Sequence, residues 1–391
     1  MDQDNHYDVA IIGGGTIGLS AAYYAAAAGK KTVLFEKNVF YNDKGSSDGY
    51  SRMFRVMYSE PNSAMLAESS LALWNEIEQD TGVQLLKRNG LLFYGKNTEA
   101  SAEGGLLQCQ ETMTALGIPF QQYDRAGLFE NYPMFRELPD GYWGLNQASS
   151  ATTEVQQSLR TFHDFAIKKG ATLLSECPAR VVDPKPGAQS YTIDTPRGRF
   201  TASSLIMAPS AWSNQVFAPF GIQLNLSIWQ MNVAYFRVDP SLPWPMWFEF
   251  GEDSEQKPLQ FYGFPPLERP GYIKASCEFS NQHYTDPSQC SYQPDPRTLK
   301  QIGDFLVTRF RGVDPTPHDA ATCLYTMSAD GQMILDTLPG YPNVAVLSGD
   351  SGRAFKFTPL FGRILMQLAT TGKTPYDISE FSIKREGIIK A

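Results

Sequence analysis

Histidine is scarce in this sequence: four occur among 391 residues, and they are scattered. Chemistry built on paired imidazoles, or a zinc site with histidine spacing, has little to draw on. Cysteine is almost as sparse. Cys109, Cys177, Cys277, Cys290 and Cys323 are odd in number, lie far apart and never form a Cys-x-x-Cys pair. That usage fits a reducing compartment and offers neither a disulfide framework nor a metal site. There is no basic stripe, and the net charge of −8 argues against nucleic acid or an anionic membrane as partner. No apolar run reaches the roughly 18 residues that a membrane span requires. The start, "MDQDNHYDVAIIGGG", lacks a cationic region followed by an apolar one, and the final "IKA" is not a peroxisomal address of the Ser-Lys-Leu kind. A cytoplasmic protein is expected. Repeats and low-complexity tracts are absent too.

What is present is ordinary for a soluble enzyme, with 42% hydrophobic and 19% charged residues. The length exceeds what one hydrophobic core covers, so two domains are expected. "DVAII" is a short apolar run ending in glycines, as a buried parallel strand reads. "TIGLSAAYYAAAAG" is an alanine-rich helix stopped by Gly29, and "KTVLFE" is a second buried strand. A second such pattern spans residues 153–182, with Val155, Leu159, Phe162 and Ala166 at helical spacing. "SLIMAPSAW" and "NVAVLSG" read as further buried strands. Between these pieces lie stretches rich in Pro, Trp, Tyr and Phe, with short alternating strands such as "GLLFYG", "NVAYFRV" and "LQFYGF". The expectation is an α/β fold. A Rossmann-like nucleotide-binding domain comprises 1–83, 149–217 and 321–391, and an α+β substrate domain on a mainly antiparallel sheet comprises 84–148 and 218–320.

Gly13, Gly15 and Gly18 form a Gly-x-Gly-x-x-Gly loop between that first strand and helix. Gly13 permits a tight turn, Gly15 lets backbone approach a pyrophosphate, and Gly18 lets helix and strand pack closely. Thr16 and Ile17 open the helix, whose N-terminus carries partial positive charge towards phosphates. Glu36, followed by Lys37, stands about 20 residues on, where a carboxylate accepts hydrogen bonds from a ribose. The motif alone does not choose between NAD and FAD, although its place at the start of a long chain leans towards FAD. "SGDSGRAFKF" sets Arg353 and Lys356 among phenylalanines at the mouth of an apolar helix. Taken alone, these cations could simply reach solvent. Arg52 and Arg55, three apart, would share a face on a helical turn, and a solvated basic turn is the alternative.

Four stretches taken together decide the matter: "GSSDGYSRMFRVMY" (45–58), "FYGFP" with Lys274 shortly after, "CLYT" (323–326) and "SGRAFKF" (351–357). In this order they resemble the monomeric sarcosine oxidase and N-methyltryptophan oxidase family of FAD-dependent amine oxidases. The likeness covers nearly the whole chain. "FYNDKGSSDG" and "FKFTPLFGRI" look closer still to the nikkomycin-pathway oxidase, a branch acting on cyclic imino acids. The resemblance implies FAD bonded covalently through Cys323. It implies that Ser51, Arg52 and Gly352 lie against the cofactor, and that Lys274 activates dioxygen. It further implies that Lys356, which also contacts the flavin, joins Arg55 in binding the substrate carboxylate, and that Tyr262 and Tyr325 shape the pocket.

Three family histidines are replaced here, by Asp48 in the "GSSDG" turn, by Glu278 four residues after Lys274, and by Arg353 in the last motif. These exchanges imply a more polar, substrate-facing pocket than one built for sarcosine. The expected activity is oxidation of a secondary or cyclic α-amino or imino acid by a monomer, with hydride passing from the C–H beside nitrogen to flavin N5 and O2 reduced to H2O2. The other readings are oxidative cyclisation or aromatisation in a biosynthetic pathway, and a non-catalytic flavoprotein subunit.

Overall fold

A computed structural model describes residues 5–96, 104–252 and 258–390. The apolar run at the N-terminus forms β1 (His6–Ile12), the glycine loop turns the chain into α1 (Thr16–Ala27), and β2 (Thr32–Phe35) returns parallel to β1. β1 is sandwiched between β2 and the strand Gly198–Met207, parallel to both, and Tyr341–Ser348 extends the parallel set beyond it. Side chains alternate across β1. Val9 and Ile11 join α1, the helix Val155–Lys168 and the helix Thr358–Thr371 on one face, while Ala10 and Ile12 join the core on the other. Burial on both faces explains why these strands read as continuous apolar runs. Three short antiparallel strands complete the eight-stranded sheet on its flanks, and Thr172–Leu174 adds a parallel edge.

A second, nine-stranded sheet carries the aromatic segments. Its longest pair is Leu226–Val238 with Val313–Ser328, antiparallel, and Tyr272–Cys277 lies on the other side of Leu226–Val238. Pro258–Arg269, Trp247–Glu252 and Leu91–Gly95 continue outward, so each of the short strands expected from alternation is found here. The strand Val313–Ser328 runs unbroken through residue 321, which places Cys323 and Tyr325 on this antiparallel sheet.

A small third sheet pairs β3 (Ser51–Phe54) with Ala151–Glu154, which also pairs with Leu86–Lys87. Arg52 therefore sits on an extended strand and not on the expected helical turn. The strand ends at Phe54, and the backbone beyond it lets Arg55 reach the same cavity as Arg52.

Behind the second sheet, Glu249 is 1% exposed. It accepts hydrogen bonds from Arg309 Nε at 2.8 and 2.9 Å and from the Tyr142 hydroxyl at 2.9 Å. Burial pushes the Glu249 carboxyl up, and the guanidinium opposes it. Removing one member of such a pair leaves a buried charge uncompensated. Arg309→Met should cost about 3–5 kcal/mol in urea unfolding, and adding Glu249→Gln should return much of that loss. A single-mutant loss below about 1 kcal/mol, the range of an exposed pair, would show the pair to be solvated.

Candidate active site

The glycine loop forms one end of a cavity of about 320 Å³, bounded also by Glu36, Lys37, Trp212, Asp350, Ala354 and Phe355. Gly13 has φ of +110°, and a Cβ there would stand 2.5 Å from the Ala208 carbonyl oxygen. Only glycine fits that turn. A Cβ on Gly18 would lie 1.9 Å from the Gly13 carbonyl oxygen, so this residue sets the helix–strand approach and faces packing instead of the cavity. Gly15, the residue before α1, has no side chain to cap the helix, and the helix start opens on the cavity.

Glu36 is held in place by backbone: its carboxylate accepts from Gly14 N–H at 2.7 Å and Asn38 N–H at 2.8 Å. A carboxylate has further lone pairs to offer. The Lys37 ammonium stands 3.7 Å from the centre of the Trp212 ring, and burial lowers its affinity for the proton. The residues fit FAD: glycine backbone and a helix N-terminus for phosphate, a carboxylate for ribose hydroxyls, and small residues with Phe355 at the far end.

Phe355 also lines a second, smaller cavity of about 70 Å³. Here the structure brings together Ser51, Arg52, Arg55, Tyr262, Lys274, Glu278, Cys323, Tyr325, Gly352 and Lys356. Asp48 and Arg353 are not among its lining residues. Asp48 contributes its backbone carbonyl, which accepts from Arg52 Nη2 at 2.6 Å, and Arg353 is buried beside Gln332. Gly352 is needed at this wall, since a Cβ on it would come within 2.3 Å of the Tyr325 ring.

Each cation has its own support. Arg52 donates to the carbonyls of Ser46, Asp48 and Ser51. Arg55 donates to the Met57 carbonyl and lies over the rings of Tyr58 and Phe93, at 4.2 and 5.3 Å from their centres. Burial lowers the proton affinity of Lys356, with Tyr58 acting against that and Arg55 and Arg353 with it. Lys274 donates to the Ser51 carbonyl at 3.0 Å, to the Ser51 hydroxyl and to Glu268 Oε1 at 3.1 Å. Tyr235 donates to the other Glu268 oxygen.

Burial pushes the Tyr262 and Tyr325 hydroxyls well above the ordinary phenol range, with Glu278 adding to the effect, so both remain donors. It also raises the Cys323 thiol, while Arg52 and Lys274 pull it back towards thiolate. Glu278 is pushed up by burial and pulled down by Lys356, Arg55 and Arg353.

Two acids in this region escape sequence reasoning. Glu268 reaches Lys274 because the turn "RPGY" closes a hairpin in which Arg269 pairs with Tyr272. That Pro-Gly turn was the available signal. Asp350 lies inside "SGDSG" and lines the larger cavity, where burial raises its carboxyl to about 6 against the pull of the Thr326 and Gly352 N–H groups.

A model of the family described as FAD dependent oxidoreductase matches residues 8–368. Monomeric sarcosine oxidase of a Bacillus species (strain NS-129) is 29% identical over 98% of this chain and 98% of its own length. Human peroxisomal sarcosine oxidase is 28% identical over 98% and 97%, and N-methyl-L-tryptophan oxidase of Salmonella arizonae is 27% identical over 97% and 99%. The chain spans 37% of the length of a 30% identical amine oxidase of Dictyostelium discoideum. Among solved structures, NikD, an amino acid oxidase essential for nikkomycin biosynthesis, superposes with a TM-score of 0.86 at 28% identity, over 96% of this chain and 97% of that one. The chain belongs to the FAD-dependent oxidoreductase family, and its whole-length relatives place it among the amine oxidases. The family resemblance stated from the motifs holds. Among the described residues, no helix is long and apolar enough to cross a membrane.

Burial lowers Lys274 from its usual value to about 8, against the pull of Glu268. Between about pH 8 and 10.5 the unfolded chain therefore binds a proton that the folded chain has released, and stability rises with pH across that window. The rise attributable to this one group is at most about 3 kcal/mol. Lys274→Met should remove it, read as the difference in urea-unfolding free energy between the two proteins at each pH. Parallel curves from pH 8 to 10.5 would place the lysine in a solvated site.

Proposed function

We propose that this protein is an FAD-dependent oxidase of a secondary or cyclic α-amino acid, producing an imine and H2O2 and acting as a monomer. One observation carries the reading: a cavity of about 70 Å³ is walled by Arg55 and Lys356 together with Lys274 and Cys323. Membership of an FAD-dependent family supports it, as do relatives named for sarcosine, N-methyltryptophan and amino acid oxidation. When bound, FAD supplies the two-electron acceptor for hydride from the C–H beside nitrogen and passes the electrons to O2.

The protein's own residues do the rest. Arg55 and Lys356 hold the substrate carboxylate, each charge-assisted hydrogen bond contributing roughly 1.5–3 kcal/mol in a partly dry site. Tyr262 and Tyr325, kept protonated, donate hydrogen bonds and limit the width of the pocket. Lys274 and Arg52 fix positive charge on one wall, where it favours reduction of O2. Cys323 tethers the cofactor. The neighbouring cations that favour its thiolate also favour bond formation, because the thiolate is the nucleophile.

Cys323→Ala should release FAD on acid precipitation, and retention of the flavin in that variant would remove the residue from its role. Turnover of a panel of N-methyl and cyclic amino acids, read by H2O2 release, tests the substrate class. Removing Arg55 or Lys356 should weaken binding of the best panel substrate ten- to a hundred-fold, with strong non-additivity in the double mutant. Amide analogues that bind as tightly as the acids would overturn the carboxylate clamp.

A further inference from the structure

We propose that Glu278 is a catalytic base that takes the ammonium proton of the bound amino acid and so frees the nitrogen lone pair for oxidation. This rests on the amino-acid reading above. An α-amino acid arrives protonated on nitrogen, and that form cannot give up hydride from the adjacent carbon. The site therefore needs a place for one proton, and the chain has no histidine at the cavity.

The candidate directly follows the strand Tyr272–Cys277. Side chains two apart on a strand share a face, so Lys274 and Glu278 both turn to the cavity while Ile273, Ala275 and Cys277 pack into the core behind. The Glu278 backbone N–H donates to the Gln260 carbonyl at 3.0 Å, which continues the strand register and fixes the side chain's direction. Among the described residues, Glu278 is the one carboxylate lining this cavity.

Its charged neighbours set its balance. Lys356, Arg55 and Arg353 favour the ionised form, which keeps it ready to accept a proton, and burial favours the protonated form, which lets it retain one. The other groups are poorly suited. Tyr262 and Tyr325 are held protonated, Lys274 is tied to Ser51 and Glu268, and Cys323 is assigned to the cofactor. In the step, the N–H bond breaks, its electron pair stays on nitrogen, and the proton joins a Glu278 carboxylate oxygen. The net charge of the complex does not change.

That conservation gives a readout independent of turnover. The probes are 2-aminoisobutyrate and 2,5,5-trimethylproline, which lack hydrogen on every carbon beside nitrogen, and pivalate, which lacks the amine. Their binding to oxidised holoenzyme is followed by the flavin spectrum, and proton exchange by calorimetry in buffers of different ionisation enthalpy. Near pH 8 the wild type should bind an amino acid with no net proton release, and Glu278→Gln should release about one proton per ligand bound. In anaerobic reduction by the best panel substrate, the wild-type rate at limiting substrate should be nearly flat with pH. The Glu278→Gln rate should fall about tenfold per unit below the amine pKa, and Glu278→Asp should restore flatness. Equal proton counts in wild type and Glu278→Gln, whether none or one, overturn the assignment while leaving the amino-acid reading intact. A Glu278→Gln rate lowered equally at all pH values does the same. Failure of both amino acids to bind, with pivalate bound or not, overturns the amino-acid reading and the base with it.

Discussion

Four cations, Arg52, Arg55, Lys274 and Lys356, share the wall of one small cavity. Each is costly to desolvate and each repels the others, so the arrangement persists only where surrounding groups compensate. Much of the local architecture can be understood as that compensation. Backbone carbonyls of the "GSSDGYS" segment receive Arg52, aromatic faces receive Arg55, and a Ser51–Glu268 pair receives Lys274. The Lys356 backbone is fixed from behind, its carbonyl accepting from the Ser70 hydroxyl at 2.8 Å and from the Trp74 indole at 2.9 Å. Glu278 on the same wall offsets part of the remaining positive charge, and under the proposed function a substrate carboxylate would offset more of it.

The two cavities meet at Phe355, within a segment that has few alternatives. Gly352 leaves room for the Tyr325 ring, Ser351 adopts a left-handed φ of 46°, and the Ser351 N–H is spoken for by the Thr326 carbonyl. Thus the turn after Tyr341–Ser348 is locked onto the strand bearing Cys323. The nucleotide-type sheet and the antiparallel sheet are joined there, beside the residue that lines both cavities.

Much of this was legible in the sequence because the signals are local. The strand, glycine loop, helix and Glu36 of the first 36 residues lie within one short βαβ unit, and each residue's role follows from its neighbours. The alternating aromatic strands were readable for the same reason. What periodicity could not supply was long-range pairing. Arg52 reads as part of a helical turn because its strand is only four residues long and is defined by a partner 100 residues away, Ala151–Glu154. Asp48 and Arg353 were expected at the substrate because they replace histidines in motifs. The structure uses the backbone of the first, and buries the second beside the cavity without exposing it on the wall. Glu268 was missed since its partner is set by hairpin register, for which the adjoining Pro-Gly turn is the one local signal.

Register also ties the chemistry to stability. Along Tyr272–Cys277 the odd-numbered residues Ile273, Ala275 and Cys277 fill the core, while Lys274 and the following Glu278 face the cavity. The neighbouring strand obeys the same rule, with Ala234 and Phe236 in that core and Val233 on the cavity wall. Tyr235, opposite Lys274 in the register, bonds the same Glu268 that holds the lysine. A slip of one residue would drive Lys274 into the hydrophobic core and turn Ala275 to the cavity, so every apolar contact behind the sheet opposes it. The cavity-facing side chains need no separate device to choose their face. The packing that makes the sheet stable already chooses it for them, and the polar groups on the cavity side need only neutralise what that choice brings together.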